Sequence, residues 1–275
     1  MNRSSMDRRT FARLFAVGGS AALLGHPRFA DARPATLPGE ALRPGAVDWA
    51  AVRAQFLMPD EVSVLNAANL CPASRPVLEA VTESTRRLDA EPFPSYRSEI
   101  GSAKEDTRDK LAAFLRVSPE EILITRNTSE ANNWVSTGLD LGPGDEVVIF
   151  SDNHPSNNTA WKRKAERFGY TVVEVPHVDP HPGPEYYLEA FEGAMTPRTR
   201  VLAFMQHTNT SGDVFPAREL CAAARERGVL TLVDGAQSFG LMDVDLSDWD
   251  PDFFSGSAHK WPCGPKECGV LFVNR

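Results

Sequence analysis

Val229-Leu-Thr-Leu-Val-Asp234-Gly-Ala-Gln237, then Asp252-Phe-Phe-Ser-Gly256, then Ser257-Ala-His259-Lys260-Trp-Pro-Cys-Gly264: these neighbouring segments decide the fold. An apolar, β-branched run that ends in an acid and a glycine reads as a buried strand opening into a loop at its carboxyl end. In open α/β sheets that end is where ligands bind, so Asp234 is expected at the rim of a site. A second short apolar run then delivers Lys260, flanked by Ser257 and His259, with a proline and a glycine fixing the loop beyond. Taken singly, Asp234 reads as a turn cap and Lys260 as a solvated lysine. Taken in order, they place one acid and one amine across a common crevice.

The rest of the chain repeats this layout. Strands are expected at Ile122–Thr125, Glu146–Phe150, Thr171–Val175, from Arg200 onward and at Gly269–Val273. Helical spacing runs from Ser74 or Pro76 through Leu78, Val81 and Leu88, from Ser102 to Leu115, from Thr128 to about Leu141, through Trp161, and from Ala217 to Arg227, where Gly228 ends it. Val62–Leu65 is also strand-like. Such alternation predicts an α/β domain, a mainly parallel sheet with helices on both faces, whose polar loops converge along one edge.

Two of those loops carry chemistry. Thr128 and Ser129 open a helix directly after a strand, where hydroxyls, free N–H groups and the helix dipole can cradle an anion; a plain N-cap is the competing reading. His154 stands at the end of the next strand, where an imidazole can stack on a flat ring or relay a proton near neutral pH. An anion cradle, an acid, an imidazole and an amine are what pyridoxal phosphate requires. A lysine binds its aldehyde covalently, and an aspartate opposite the ring nitrogen keeps that nitrogen protonated.

Asp234-Gly-Ala-Gln237, Ser257-Ala-His259-Lys260 and Gly264-Pro265 together resemble the class V aminotransferase family of fold-type I pyridoxal-phosphate enzymes, which includes cysteine desulfurases and isopenicillin N epimerase-like proteins. The resemblance implies catalytic roles for Lys260, His154 and Asp234. It implies cofactor contacts from Thr128, Ser129, His154, Asn209, Asp234, Gln237, Ser257, His259 and Lys260, with Asn209 and Gln237 approaching the phenolic oxygen from opposite sides. Asn127 stands where the family usually has glycine, a mild departure because asparagine tolerates positive φ. Asn66 and Asn69 fall in a loop that borders the substrate in this family. The expected reaction acts on the α-amine of a small amino acid and ends in transamination, epimerisation or loss of a β-substituent such as sulfur. A catalytically silent module, or half of a site completed by another chain, is the alternative.

Composition narrows the partners. A chain of 275 residues, 42% hydrophobic and with a net charge of −8, can bury a full core and shows no basic stripe for nucleic acid. Residues 1–32 resemble a twin-arginine signal: Arg8-Arg9, a modest apolar run to Leu24 too short for a stable membrane anchor, and the small-residue site Ala30-Asp31-Ala32. Export to the periplasm is therefore expected. Residues 33–61, rich in proline and small residues, read as an arm or linker, and residues 62–275 as the cofactor-binding large domain. The family's smaller C-terminal domain, which supplies an arginine for the substrate carboxylate, is expected on a further segment or a second chain, and a homodimer is expected. Cys71, Cys221, Cys263 and Cys268 lack a C-x-x-C pair, and His177 and His181 fit no zinc spacing, so no metal is expected.

Overall fold

The computed structural model describes residues 47–275. The expected twin-arginine leader and the first part of the arm lie outside them. No helix among the described residues is long and apolar enough to cross a membrane.

The described residues begin with a short helix α1 (Trp49–Arg53), capped by Asp48. Two long helices follow, α2 (Arg75–Ala90) and α3 (Pro94–Leu115). Then come β1 (Ile122–Thr125), α4 (Thr128–Gly138), β2 (Glu146–Phe150), α5 (Pro155–Phe168), β3 (Thr171–Val175), α6 (Pro184–Ala194) and β4 (Thr199–Met205). The last elements are α7 (Ala217–Glu226), β5 (Leu230–Asp234), α8 (Leu246–Trp249), β6 (Phe253–Ser257) and β7 (Gly269–Val273).

One seven-stranded sheet runs in the order β1-β7-β6-β5-β4-β2-β3. β7 is antiparallel to both its neighbours, and β2 to β6 are mutually parallel. All strands but β7 therefore point one way, and their carboxyl ends share an edge. Because successive strand residues face opposite sides, Val148, Phe150, Leu202, Phe204 and Val233 pack with α3, α6 and α7 on one face. Val147, Ile149, Val201, Ala203 and Leu232 pack with Ala131, Val135 and Trp161 on the other. Covered on both faces, the central strands need continuous apolar runs, as their sequences have. Gly235 marks the tightest crossing: a Cβ there would lie 2.1 Å from the ring of Phe254.

Three expectations change. Val62–Leu65 is not a strand; Leu65 is 93% exposed, and the segment pairs with neither edge strand, β1 nor β3, and runs as a loop. The α3 helix starts at Pro94 rather than Ser102, because proline at a first-turn position costs no hydrogen bond; the proline expected to break one helix opens the next. The arm is structured from Trp49 onward. Arg75 donates from its backbone N to the Gln55 carbonyl and from Nε to the Ala54 carbonyl, tying α1 to the start of α2.

Candidate active site

The loops after β1, β2, β4, β5 and β6 enclose a cleft of about 440 Å³ at the carboxyl edge of the sheet. Thr128, Ser129, His154, Asn209, Asp234, Ser257, His259 and Lys260 all line it, with Asn66 and Asn69 on its outer wall. Residues spread over more than a hundred positions thus meet because parallel strands deliver their ends to one place.

Asp234 closes β5 and is 2% exposed. Its Oδ1 accepts the Ala236 N–H at 3.0 Å, and its Oδ2 accepts from Asn132 Nδ2 at 2.8 Å and Asn157 Nδ2 at 3.4 Å. Burial raises the carboxyl above its ordinary range, while the Ala236 N–H, Lys260, Asn132 and His154 pull it back. Lys260 is 9% exposed, and its amine has no hydrogen-bond or ion-pair partner among the described residues. Burial lowers its proton affinity, and the negative charge of Asp234 opposes this. An amine pushed toward its neutral form is a competent nucleophile.

His154 caps α5: its Nδ1 accepts the Ser156 N–H at 3.3 Å and lies 2.8 Å from Ser156 Oγ. Burial lowers its pKa first, and the Lys260 charge adds to this. His259 is lowered for the same two leading reasons, and its Nδ1 is buried without a partner.

The α4 helix begins at the cleft. Asn127 is its N-cap, accepting the Glu130 N–H at 2.9 Å, so neither Thr128 nor Ser129 has that task. With φ of −173°, Asn127 is extended, and the positive φ allowed for at this position is not used. Room for the loop comes instead from Gly269, where a Cβ would approach the Asn127 Cα to 2.8 Å. Thr128 donates its backbone N–H to Ser257 Oγ at 3.0 Å, and its hydroxyl lies 2.9 Å from the same atom. Ser129 Oγ donates to Ser156 Oγ at 2.8 Å, and the Ser129 N–H has no partner among the described residues. Hydroxyls and an unspent helix N–H facing a void favour an anion.

Asn209 lines the cleft as expected, and its Oδ1 is buried without a partner. One residue sits differently from the sequence reading. Gln237 does not line the cleft: its Nε2 donates to the Ala68 carbonyl at 3.1 Å, and its Oε1 accepts from Trp261 Nε1 at 2.9 Å. Both ends of that amide fasten the outer wall to the lysine loop. On the same seam the Cys71 and Cys263 sulfurs lie 3.4 Å apart, and both thiols are free.

The sequence reading also missed Asn132, Asn157 and Ser156. Asn132 and Ser136 are polar residues on the stripe that Ala131 and Val135 bury, and a polar pair on a buried stripe was the available signal. No group of metal-ligating side chains occurs among the described residues.

Residues 66–275 match the profile of the family described as aminotransferase class-V. The chain belongs to the class-V aminotransferase family. It is 35% identical over 230 residues to the isopenicillin N epimerase of Amycolatopsis lactamdurans, covering 82% of this chain and 57% of that one. It is 34% identical over 250 residues to a probable cysteine desulfurase of Halobacterium salinarum, covering 86% and 59%. Among solved structures it is similar to a lysine-to-alanine mutant of C-DES with glycine covalently linked to the PLP cofactor. That likeness has a TM-score of 0.76 at 28% identity and covers 81% of this chain and 59% of that one. The Escherichia coli cysteine desulfurase CsdA superposes with a TM-score of 0.71 at 29% identity, over 82% and 57%. The chain thus spans 57–59% of the length of these relatives. The class-V aminotransferases are enzymes that depend on pyridoxal phosphate.

Proposed function

We propose that this class-V aminotransferase chain binds pyridoxal phosphate in the cleft and acts on the α-amine of a small amino acid. The observation that carries the reading is a buried, unpartnered lysine amine in one cleft with a buried carboxylate and an open helix start. The residues fit the group. The unpartnered Nδ1 of His259 and Oδ1 of Asn209 are buried polar atoms whose cost falls when a polar ligand meets them. Thr128, Ser129, Ser257 and His259 would hold the phosphate, His154 would cover the ring, Asn209 would meet the phenolic oxygen, and Lys260 would hold the aldehyde carbon. Gln237 would act by holding Ala68 and Trp261 in place.

Bound there, pyridoxal phosphate supplies an electron-withdrawing ring that weakens the bonds at a substrate's α carbon. The chain's own groups do the rest. Asp234 holds a proton on the ring nitrogen through its carboxylate oxygens. Lys260, its proton affinity lowered by burial, would serve as the nucleophile that holds the aldehyde, and its amine would take and return the proton at the α carbon. His154, lowered below its ordinary pKa, stays neutral near pH 7 and presents a flat uncharged face.

Lys260 is the sole lysine or arginine lining the cleft among the described residues. We therefore assign the cation that grips the substrate carboxylate to another segment or a second chain, and the choice between epimerisation, transamination and sulfur removal to that same element. The similarities to an isopenicillin N epimerase and to cysteine desulfurases support either of two of these branches. The test is direct. Added pyridoxal phosphate is expected to give a visible absorbance band that borohydride abolishes while fixing the cofactor to the protein, and Lys260→Ala is expected to abolish both signals. A wild-type protein that binds no cofactor, or a variant that is labelled as well as wild type, would refute the assignment.

A further inference from the structure

The carboxylate of Asp234 is held by an arrangement more elaborate than a buried acid needs. Asn132, Asn157 and Ser255 come from three elements, α4, α5 and β6, and all three are fully buried. Ser255 Oγ donates to Asn132 Oδ1 at 2.7 Å. A hydroxyl donor at that oxygen fixes which way the amide points, so the Nδ2 of Asn132 is presented to Asp234 Oδ2, at 2.8 Å. Asn157 adds a longer contact at 3.4 Å to the same oxygen, and its own Oδ1 has no partner. The short bond and the anchored orientation both belong to Asn132.

A core position costs less when filled by an apolar side chain than by an amide that must find partners. Leucine or alanine would complete the stripe formed by Ala131 and Val135. The amide therefore serves the carboxylate. Charged and titratable groups facing Asp234 from the surrounding elements are Lys260, on the loop after β6, and His154, at the start of α5. Neither makes a hydrogen bond to it among the described residues. Asn132 is thus the close side-chain donor that favours the ionised acid against the pull of burial.

We infer that Asn132, oriented by Ser255, is a positioning residue that keeps Asp234 charged and aimed, and through it determines how firmly a ring nitrogen in the cleft is held protonated. This inference rests on the pyridoxal-phosphate reading for its consequence, and on the structure alone for its first step.

The two parts are tested separately. In the cofactor-free protein, a carboxyl-carbon NMR titration of Asp234 is expected to move upward by about one pH unit in Asn132→Leu, the size expected from losing one hydrogen bond to a charged group. Ser255→Ala is expected to move it less, in the same direction. An unchanged titration in both variants, with thermal unfolding showing both folded, would overturn the inference whatever the cofactor does. With pyridoxal phosphate added, Asn132→Leu is expected to weaken binding roughly tenfold. The visible band is expected to titrate at higher pH, because a less positive ring lets the lysine-bound nitrogen keep its proton longer. Asn132→Asp discriminates further: when protonated it can donate as asparagine does, and when ionised it repels Asp234. Near wild-type affinity at acid pH that is lost as pH rises would support the inference, whereas a uniform loss at every pH would point to packing alone and overturn it. If the Asp234 titration shifts as expected but no variant nor the wild type takes up cofactor, the pyridoxal-phosphate reading fails while the control of Asp234 by Asn132 stands.

Discussion

The two walls of the cleft are built on different principles. The inner wall, where Asp234, Ser255 and Asn132 meet, is part of the sheet and of a helix packed on it, and its polar atoms are bonded to one another in the core. The outer wall, Asn66 to Cys71, is an irregular loop held by a few bonds. The Asn69 N–H donates to Asn66 Oδ1, Gln237 donates to the Ala68 carbonyl, and the Cys71 N–H donates to the His259 carbonyl. A rigid inner wall suits a cofactor that must be oriented. A loop on few ties suits the side where substrate enters and leaves. If this division is right, substitutions in the first wall lower global stability, and those in the second change local opening and little else.

The largest effect is expected at Gly235. Its hypothetical Cβ falls 2.1 Å from Phe254 Cζ and 2.9 Å from the Ser255 carbonyl oxygen, so Gly235→Ala must displace both a core ring and the strand that carries Ser255. Overpacking of this kind costs about 3 kcal/mol, read as a lower urea midpoint with unchanged slope. Gly101→Ala is the control: nothing lies within 4 Å of its Cβ in α3, and it is expected to gain a few tenths to about 1 kcal/mol. Equal midpoints for Gly235→Ala and wild type would mean that the inner wall is as yielding as the outer one.

The same contrast explains how much was legible in the sequence. The strands β2, β4, β5 and β7 were readable because burial on both faces demands unbroken apolar runs, and the turn residues between them are few and local. The sites of Asp234, Lys260 and His154 followed, since a residue at the end of a parallel strand has one place to go. The outer wall was not readable. Val62 and Val64 alternate as a strand would, yet the segment joins neither free edge of the sheet, and which segments pair there depends on how the whole chain packs. The bond from Gln237 to the Ala68 carbonyl and the bond from Asn132 to Asp234 join residues more than a hundred positions apart, to which no local pattern points.

The next effect is on pH dependence. His154 and His259 both have pKa values lowered by burial and by the charge of Lys260. In the unfolded chain both regain their ordinary value near 6.5, so as pH falls below that value the unfolded state takes up protons the folded state refuses. Stability contributed by these two groups is complete above about 6.5 and is lost as pH drops toward their folded values. The raised carboxyl of Asp234 acts in the opposite sense, since the folded state binds its proton more readily. Urea unfolding at pH 7.5 and 5.5, run on wild type and on His154→Gln combined with His259→Gln, separates the two. The double variant is expected to lose less stability on acidification, and an equal loss would show that these histidines are solvated.

The smallest effect is expected in the outer wall. Asn66→Ala removes the acceptor for the Asn69 N–H, a bond of 3.3 Å in an exposed loop. Exposed positions without special backbone or packing duties change global stability by no more than about 0.5 kcal/mol. The ties at Ala68 and Cys71 remain, so the loop is not released as a whole. What changes is the opening of one turn, measured as faster amide exchange at Asn69 with the exchange of Ala203 and Leu232 in the central strands unaltered. Should the substitution instead slow nothing and speed nothing at Asn69, that bond does not restrain the loop, and the ties from Gln237, His259 and Lys266 hold the wall. Should it lower the global midpoint as far as Gly235→Ala, the loop belongs to the same cooperative unit as the sheet, and the division between a fixed wall and a yielding one is false.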